Sequence, residues 1–88
     1  MAVRDTIKEV ITTDKFEQDI KHIKESMTIE RIEKQIRKIV SDPEVGKPLK
    51  YSLKGERTLY VKPYRLIYAV GGSTLILLRF EHRKDVYG

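Results

Sequence analysis

The chain has no cysteine and only two histidines, and these absences remove several kinds of site. Disulfides and thiolate chemistry are excluded, and His22 and His82 belong to no pattern of metal ligands. No apolar run approaches the ~20 residues of a membrane-spanning helix. The first ten residues carry charges where a signal peptide would need an apolar segment. We therefore expect a cytoplasmic protein that needs neither a metal nor another cofactor.

The length of 88 residues and the charge distribution narrow the remaining choices. A chain this short forms one domain, residues 1–88, with a thin core, so a shallow surface site is expected. The net charge is +5, and it is unevenly placed: residues 1–48 hold ten basic and ten acidic residues, whereas residues 49–88 hold eight basic and three acidic ones. A balanced half followed by a basic half indicates a scaffold followed by a surface for a polyanion.

The beginning of the chain predicts a strand and then a helix. The strand covers residues 4–11, where apolar side chains mix with charged ones. One of the next three residues can cap a helix N-terminus with a side-chain oxygen: Thr12, Thr13 or Asp14. The helix follows from apolar residues at steps of four, three and four, and it ends near Ser26. Those residues are Phe16, Ile20, Ile23 and Met27.

A second helix is predicted from Thr28, as its cap, to a stop at Pro43. Its apolar stripe is formed by Ile29, Ile32, Ile36, Ile39 and Val40. Each helix has one apolar face and one charged face. Because the link between them is short, we expect an antiparallel helical hairpin.

The second half predicts a loop followed by three strands. Residues 42–56 contain two prolines and two glycines and form the loop. The strands cover residues 57–61, 64–70 and 73–80, joined by tight turns at Lys62–Pro63 and Gly71–Gly72. The last two strands are apolar on both faces, so at least one of them is central in the sheet.

These elements predict an α+β fold. An N-terminal strand and a three-stranded antiparallel meander supply the sheet, which offers the one large apolar face that the helical hairpin can cover. The opposite face, or its rim, is left for the basic residues.

Basic and aromatic residues are interleaved along the predicted strands. Arg65 begins an apolar strand, where a guanidinium either reaches solvent or clamps a phosphate with two parallel hydrogen bonds. Strand pairing brings further cations toward it: Arg57, Lys62, Arg79 and Arg83. The tyrosines among or just before them are Tyr51, Tyr60, Tyr64, Tyr68 and Tyr87. Charges for phosphates beside rings for unstacked bases suit RNA, although Tyr68 and Tyr64 also suit the core.

Three segments resemble the C-terminal half of RelE toxins in the RelE/ParE superfamily. They are "YRLIYAV" at 64–70, "LILLRF" at 75–80 and "HRKDVY" at 82–87. The resemblance implies a RelE-like microbial ribonuclease fold and a toxin that enters the ribosomal A site and cuts mRNA there. It also implies attack by the RNA 2′-hydroxyl on the adjacent phosphate without a metal, and inhibition by a RelB-type antitoxin.

The resemblance also assigns roles to individual residues. Arg65 and Arg83 would bind phosphate and stabilise the transition state, Tyr87 would orient the 2′-hydroxyl or stack on a base, and His82 would carry a proton. The remaining cations would bind RNA: Arg57, Lys62, Arg79, Lys54 and Lys84. Paired lysines that precede the "YR" strand in some RelE toxins are absent here. The general base therefore stays open between His82, Lys62 and Arg57.

Two other functions remain compatible with the sequence. One is a ParE-like toxin that poisons DNA gyrase by binding it, and the other is a catalytically silent module that binds RNA or an antitoxin. The "HRKDVY" ending argues against the ParE-like alternative, because that branch generally lacks this site.

Overall fold

The computed structural model describes residues 7–49 and 55–83. Within these two ranges the chain forms five strands and two α-helices. In chain order they are β1 (Glu9–Thr12), α1 (Asp14–Lys21), α2 (Ser26–Ser41), β2 (Lys47–Pro48), β3 (Arg57–Val61), β4 (Tyr64–Gly71) and β5 (Thr74–His82).

The strands form one mixed sheet in the order β1-β5-β4-β3-β2. Strand β1 runs parallel to β5, and the other neighbours are antiparallel. Strands β3, β4 and β5 are the predicted meander, with β4 and β5 inside the sheet as their apolar sequences require. The two helices pack on the sheet, so the predicted α+β fold is confirmed.

The first strand is shorter than predicted and the first helix is firmly capped. Strand β1 covers Glu9–Thr12 rather than residues 4–11, of which positions 4–6 lie outside the described residues. The cap is Thr13, one of the three candidates. Its Oγ1 accepts a hydrogen bond from the Phe16 N–H at 3.0 Å and donates to the Leu78 carbonyl at 2.7 Å. One hydroxyl thus starts α1 and also ties it to β5.

Two predictions around the helix link are wrong. Helix α1 ends at Lys21 instead of near Ser26, so Met27 falls at the start of α2, where its side chain is 73% exposed. Thr28 does not cap α2, because the helix already begins at Ser26 after Glu25, and the Thr28 side chain is buried inside its first turns.

The core lies between the helices and one face of the sheet. Phe16, Ile32 and Ile39 from the helices meet buried residues of the strands: Val61, Leu66, Tyr68, Leu75, Leu77 and Phe80. Because side chains alternate along a strand, Arg65, Ile67 and Ala69 lie on the opposite face of β4, as predicted. We call this second face, which lies away from the two helices, the open face, although Ile67 is fully buried on it.

Strand β2 is a two-residue element inside the predicted loop, and a buried phenol holds it in place. The Tyr68 hydroxyl accepts a hydrogen bond from the Gly46 N–H at 2.9 Å and donates to the Pro43 carbonyl at 2.8 Å. A Cβ at position 46 would lie 2.7 Å from that hydroxyl oxygen and 2.9 Å from the Thr58 carbonyl oxygen. Only glycine fits here without displacing the sheet.

Neither α1 nor α2, the helices in the described ranges, has the length and apolar character needed to cross a membrane.

Candidate active site

A shallow cleft of about 190 Å³ lies at the end of the sheet where β3 turns into β4. Its lining residues are Tyr60, Lys62, Pro63, Tyr64, Arg65 and Arg83. The volume is below the ~300–1,000 Å³ of typical small-molecule pockets. The cleft therefore suits one phosphate and parts of its neighbours better than a whole enclosed ligand. Its three cations make it attractive to anions.

Arg65 is fixed by strand pairing on both sides. It lies opposite Tyr60 of β3 and opposite Glu81 of β5. Its Nη2 is 3.5 Å from Oε1 of Glu81, which is longer than the ~2.7–2.9 Å of a strong charge-assisted hydrogen bond. Its Nε is buried and has no hydrogen-bond partner among the described residues. Glu81 meets only Nη2 of the guanidinium, and the Arg65 side chain remains 20% exposed where it lines the cleft, so an anion there can still reach it.

The turn that carries Lys62 is held from two directions. The Arg83 backbone N–H donates to the Pro63 carbonyl at 2.8 Å, which brings the end of β5 onto the turn. From α2, Nη1 of Arg31 donates to the Lys62 carbonyl at 3.0 Å. These two bonds explain how Arg83, more than twenty positions after Lys62, reaches the same cleft.

The tyrosines have different environments. Tyr60 is 57% exposed beside Arg65, so its ring is available to a base. Tyr64 lines the cleft and stacks on Phe80, with ring centroids 4.7 Å apart. Tyr68 is fully buried, and burial raises its pKa above the ordinary value of 10.0, against the opposing effects of the Gly46 hydrogen bond and the Arg57 charge. Tyr68 is a core residue.

His82 packs against the edge of the Tyr64 ring, with ring centroids 5.2 Å apart. It lies opposite Tyr64 in the β4–β5 register. Arg65 and Glu81 form the next pair along the same strands and point to the open face. His82 therefore approaches the cleft through Tyr64, and it is not among the residues that line the cleft.

Comparisons with known proteins identify the family. A family model described as the ParE toxin of the type II toxin–antitoxin system, parDE, matches residues 10–87. The chain belongs to this family. It is a RelE-like toxin of the RelE/ParE superfamily, as the sequence resemblance predicted.

Similar proteins include mycobacterial, archaeal and enterobacterial toxins. Toxin RelG of Mycobacterium tuberculosis is 40% identical over 45 residues, an alignment that covers 49% of this chain and only 52% of RelG. The toxin thus matches about half the length of this curated relative. The RelBE2 toxin–antitoxin complex of M. tuberculosis gives a TM-score of 0.71 at 28% identity, covering 88% of this chain and 92% of that one.

Two further solved structures share the fold at lower identity. The RelB–RelE complex of Methanococcus jannaschii gives a TM-score of 0.71 at 24% identity and covers 88% of this chain and 94% of that one. The DinJ–YafQ complex of Escherichia coli gives 0.68 at 18% identity and covers 93% and 99%. Each is a complex of a toxin with its antitoxin.

The predicted cations of the toxin divide into two groups. Lys62, Arg65 and Arg83 meet in the cleft. Arg57 points away from it: it lies opposite Tyr68, and its Nη1 donates to the Gly46 carbonyl at 2.6 Å and to the Glu44 carbonyl at 3.3 Å. Arg57 therefore braces the segment that leads into β2.

Arg79 lies on β5, opposite Ile67 on the open face, and is engaged by two carboxylates. Its Nη2 is 3.0 Å from Oε1 of Glu56, and its Nε is 3.8 Å from Oε1 of Glu81. Three other predicted site residues, Lys54, Lys84 and Tyr87, lie outside the described residues, and so does Tyr51.

A basic surface on α2 was not predicted from the sequence. A groove along the outside of this helix is lined by Arg31, Lys34, Gln35, Arg37, Lys38 and Ser41. We call it the α2 groove. The net charge of residues 1–48 is zero, because acidic residues elsewhere in this half balance the four cations of the groove. The net charge therefore gives no sign of the basic surface. The spacing of Arg31, Lys34 and Lys38 by three and four positions would have placed them on one helix face.

Proposed function

We propose that the toxin is a ribosome-dependent mRNA endoribonuclease that acts in the cytoplasm and stops translation by cutting mRNA in the ribosomal A site. The observation that carries the proposal is the meeting of Lys62, Arg65 and Arg83 with two tyrosines in one shallow cleft. That combination offers charge to a phosphate and rings to its neighbouring bases. The family resemblance supplies the reaction that such a cleft would serve.

In the proposed reaction, the 2′-hydroxyl of the RNA loses its proton and attacks the adjacent phosphorus. The bond from phosphorus to the 5′-oxygen of the next nucleotide breaks, and that oxygen takes up a proton. The products are a 2′,3′-cyclic phosphate and a 5′-hydroxyl. Negative charge grows on the phosphoryl oxygens during attack, so Arg65 and Arg83 stabilise the transition state more than the bound substrate.

The proposed dependence on the ribosome follows from what the cleft contains. Its lining has cations and phenols, and none of the described lining residues is a carboxylate or an imidazole. Positioning the 2′-hydroxyl in line with the scissile bond can itself contribute a large part of the acceleration. We propose that the ribosome bends the mRNA into that geometry and completes the site.

Removing the Arg65 side chain tests the nuclease directly. The purified toxin is added to a translation system programmed with a defined mRNA, and new 5′ ends are mapped. We expect A-site cuts that fall by about 10²–10³-fold in Arg65→Ala, the loss typical of one donor to a developing oxyanion. Lys24→Ala, which removes an exposed positive charge on the helix link, should cut normally. Translation arrest without cuts by the unmodified toxin would refute the nuclease.

A gyrase poison is the second candidate function, because the matching family model is described as a ParE toxin. A toxin that acts by binding gyrase cleaves no RNA, so the cations of the cleft would not serve a reacting phosphate. A DNA supercoiling assay separates the two functions. Inhibition of gyrase that persists in Arg65→Ala, together with intact mRNA in the translation system, would favour the ParE-like function.

We also propose that a RelB-type antitoxin neutralises the toxin. The similar structures named above are complexes with antitoxins called RelB or DinJ. The net charge of +5 favours an acidic partner. Co-expression with such an antitoxin should protect the mRNA, and loss of the protection in high salt would show that charge pairing carries part of the affinity.

A further inference from the structure

An acidic residue lies directly against the arginine to which the proposed function gives the central role. Glu81 is the cross-strand partner of Arg65 on the open face, and the two side chains are only 24% and 20% exposed. No motif singled out this glutamate. A carboxylate beside a phosphate-binding cation should weaken anion binding. The position of Glu81 next to Arg65 therefore needs a physical reason.

Glu81 is itself held by a second arginine. Arg79 approaches the same oxygen, Oε1, at 3.8 Å through its Nε, while its Nη2 pairs with Glu56 at 3.0 Å. The open face therefore carries a row of alternating charges from Glu56 through Arg79 and Glu81 to Arg65. The side chains of these pairs are 16–31% exposed, and because the desolvation of partly buried charges offsets much of their attraction, such pairs add little net stability to a fold. Their arrangement places a carboxylate oxygen 3.5 Å from Nη2 of Arg65, the last guanidinium in the row.

We propose that Glu81 is a positioning residue that orients the Arg65 guanidinium toward the cleft, with Arg79 and Glu56 holding Glu81 in place. A guanidinium presents its N–H donors in a rigid plane, so fixing Nη2 fixes the direction of all of them. Glu81 approaches only Nη2, at 3.5 Å, so the pairing does not engage the other N–H donors of Arg65, whose side chain remains 20% exposed where it lines the cleft. The inference rests on the proposed nuclease function for its kinetic consequence, but not for the geometry.

Glu81 could either position Arg65 or only compensate its charge. These two roles predict opposite changes in the cleavage rate when Glu81 is removed, so an experiment can separate them. In Glu81→Ala, the Arg65 side chain loses its anchor, and one negative charge beside the cleft disappears. We expect the cleavage rate at saturating ribosome concentration to fall at least tenfold. Inorganic phosphate should bind as tightly as before or several-fold more tightly. Glu81→Gln keeps an oxygen that can accept a hydrogen bond from Arg65. Its cleavage rate should therefore be intermediate between those of the wild-type protein and Glu81→Ala.

Glu33→Gln is the matched control, since it removes an exposed negative charge on α2 and should leave both quantities unchanged. Melting temperatures within a few degrees of wild type exclude unfolding as the cause. Should Glu81→Ala fail to fold, Glu81→Gln carries the same test with a loss of about threefold. Cleavage by Glu81→Ala at the wild-type rate would overturn the proposal, and so would phosphate binding that weakens in parallel with cleavage.

A spectroscopic measurement keeps this inference separate from the nuclease proposal. The Arg65 Nε–H signal in a ¹⁵N–¹H spectrum should be sharp and distinct in the wild-type protein and in Glu33→Gln, and broadened in Glu81→Ala. If the wild-type toxin cuts no mRNA, the nuclease proposal fails, and this signal decides the role of Glu81 alone. An identical Arg65 signal in Glu81→Ala and wild type would then refute it.

Discussion

Replacing Tyr68 with phenylalanine should destabilise the toxin without disabling the cleft. The substitution removes only the hydroxyl, and the ring continues to fill the same space in the core, so no cavity of side-chain size forms. What it removes is the pair of hydrogen bonds to the Gly46 N–H and the Pro43 carbonyl, at 2.9 and 2.8 Å. Tyr68 sits on β4 opposite Arg57 rather than near the turn that forms the cleft.

The magnitude follows from what happens to the two abandoned groups. A typical hydrogen bond contributes about 1 kcal/mol net, and a buried group left without a partner costs about 1–3 kcal/mol. Gly46 is buried, so its N–H bears this penalty, whereas the half-buried Pro43 can recover part of its bond from water. We expect a loss of about 2 kcal/mol, which lowers the melting temperature of a domain this size by about 8–16 °C.

Urea denaturation measures the free energy of unfolding, with Tyr60→Phe as the matched control. Tyr60 is 57% exposed, and losing its hydroxyl should change stability by less than about 0.5 kcal/mol. At a temperature where both variants are folded, Tyr68→Phe should retain mRNA cleavage. A Tyr68→Phe variant as stable as Tyr60→Phe would refute the account of how β2 is held.

The same phenol should give the toxin a specific alkaline instability. Burial raises the pKa of Tyr68 above its ordinary value of 10.0, so the folded state holds this proton more tightly than the unfolded state. The resulting stability is fully present below about pH 10, the unfolded pKa, and is lost as pH rises through the folded pKa. The stability difference between wild type and Tyr68→Phe should therefore shrink above about pH 10. A constant difference from pH 8 to 11 would contradict this.

Two further predictions concern the start of α1 and the α2 groove. Thr13→Ala removes the cap and the link to β5, so urea denaturation should show a loss of about 1–2 kcal/mol that Thr13→Ser largely restores; no loss would mean that the cap is dispensable. Replacing Lys34 and Lys38 by glutamine should reduce the slope of log K against log salt for single-stranded RNA by about 1.4, whereas replacing Lys21 and Lys24 should not. Equal slopes in the two double variants would exclude the α2 groove from RNA binding.

Much of the fold could be predicted because it follows from local periodicity. Apolar steps of three and four gave two helices, and apolar strands broken by Lys62–Pro63 and Gly71–Gly72 gave the meander. The failures lie where contacts distant in sequence decide. Two residues are too few to form a strand pattern, and β2 exists because Gly46 meets Tyr68 across the fold. Met27 was assigned to the first helix because the apolar spacing of three and four residues continues across the link, although the helix itself ends before it.

The sequence predicts which residues meet in the cleft only as far as it predicts the register of the paired strands. A two-residue turn at Lys62–Pro63 places Tyr60 opposite Arg65 and, three pairs further on, Arg57 opposite Tyr68. That register already separates Arg57 from the cleft, since residues 57, 59 and 61 share the face that meets the helices. Composition alone could not make this separation, because it counts cations without their directions. The same limit concealed the α2 groove inside a neutral first half.

The alternation of side chains along β5 also bears on which residue could accept the proton of the 2′-hydroxyl. Glu81 and His82 are consecutive, so they point to opposite faces, Glu81 toward Arg65 and His82 toward Tyr64. The carboxylate is occupied with two guanidinium groups, and the imidazole packs on a ring that separates it from the cleft. Of the three residues between which the sequence left the base open, Lys62 alone lines the cleft. Under the proposed function, Lys62 is then the proton acceptor that the cleft itself can supply.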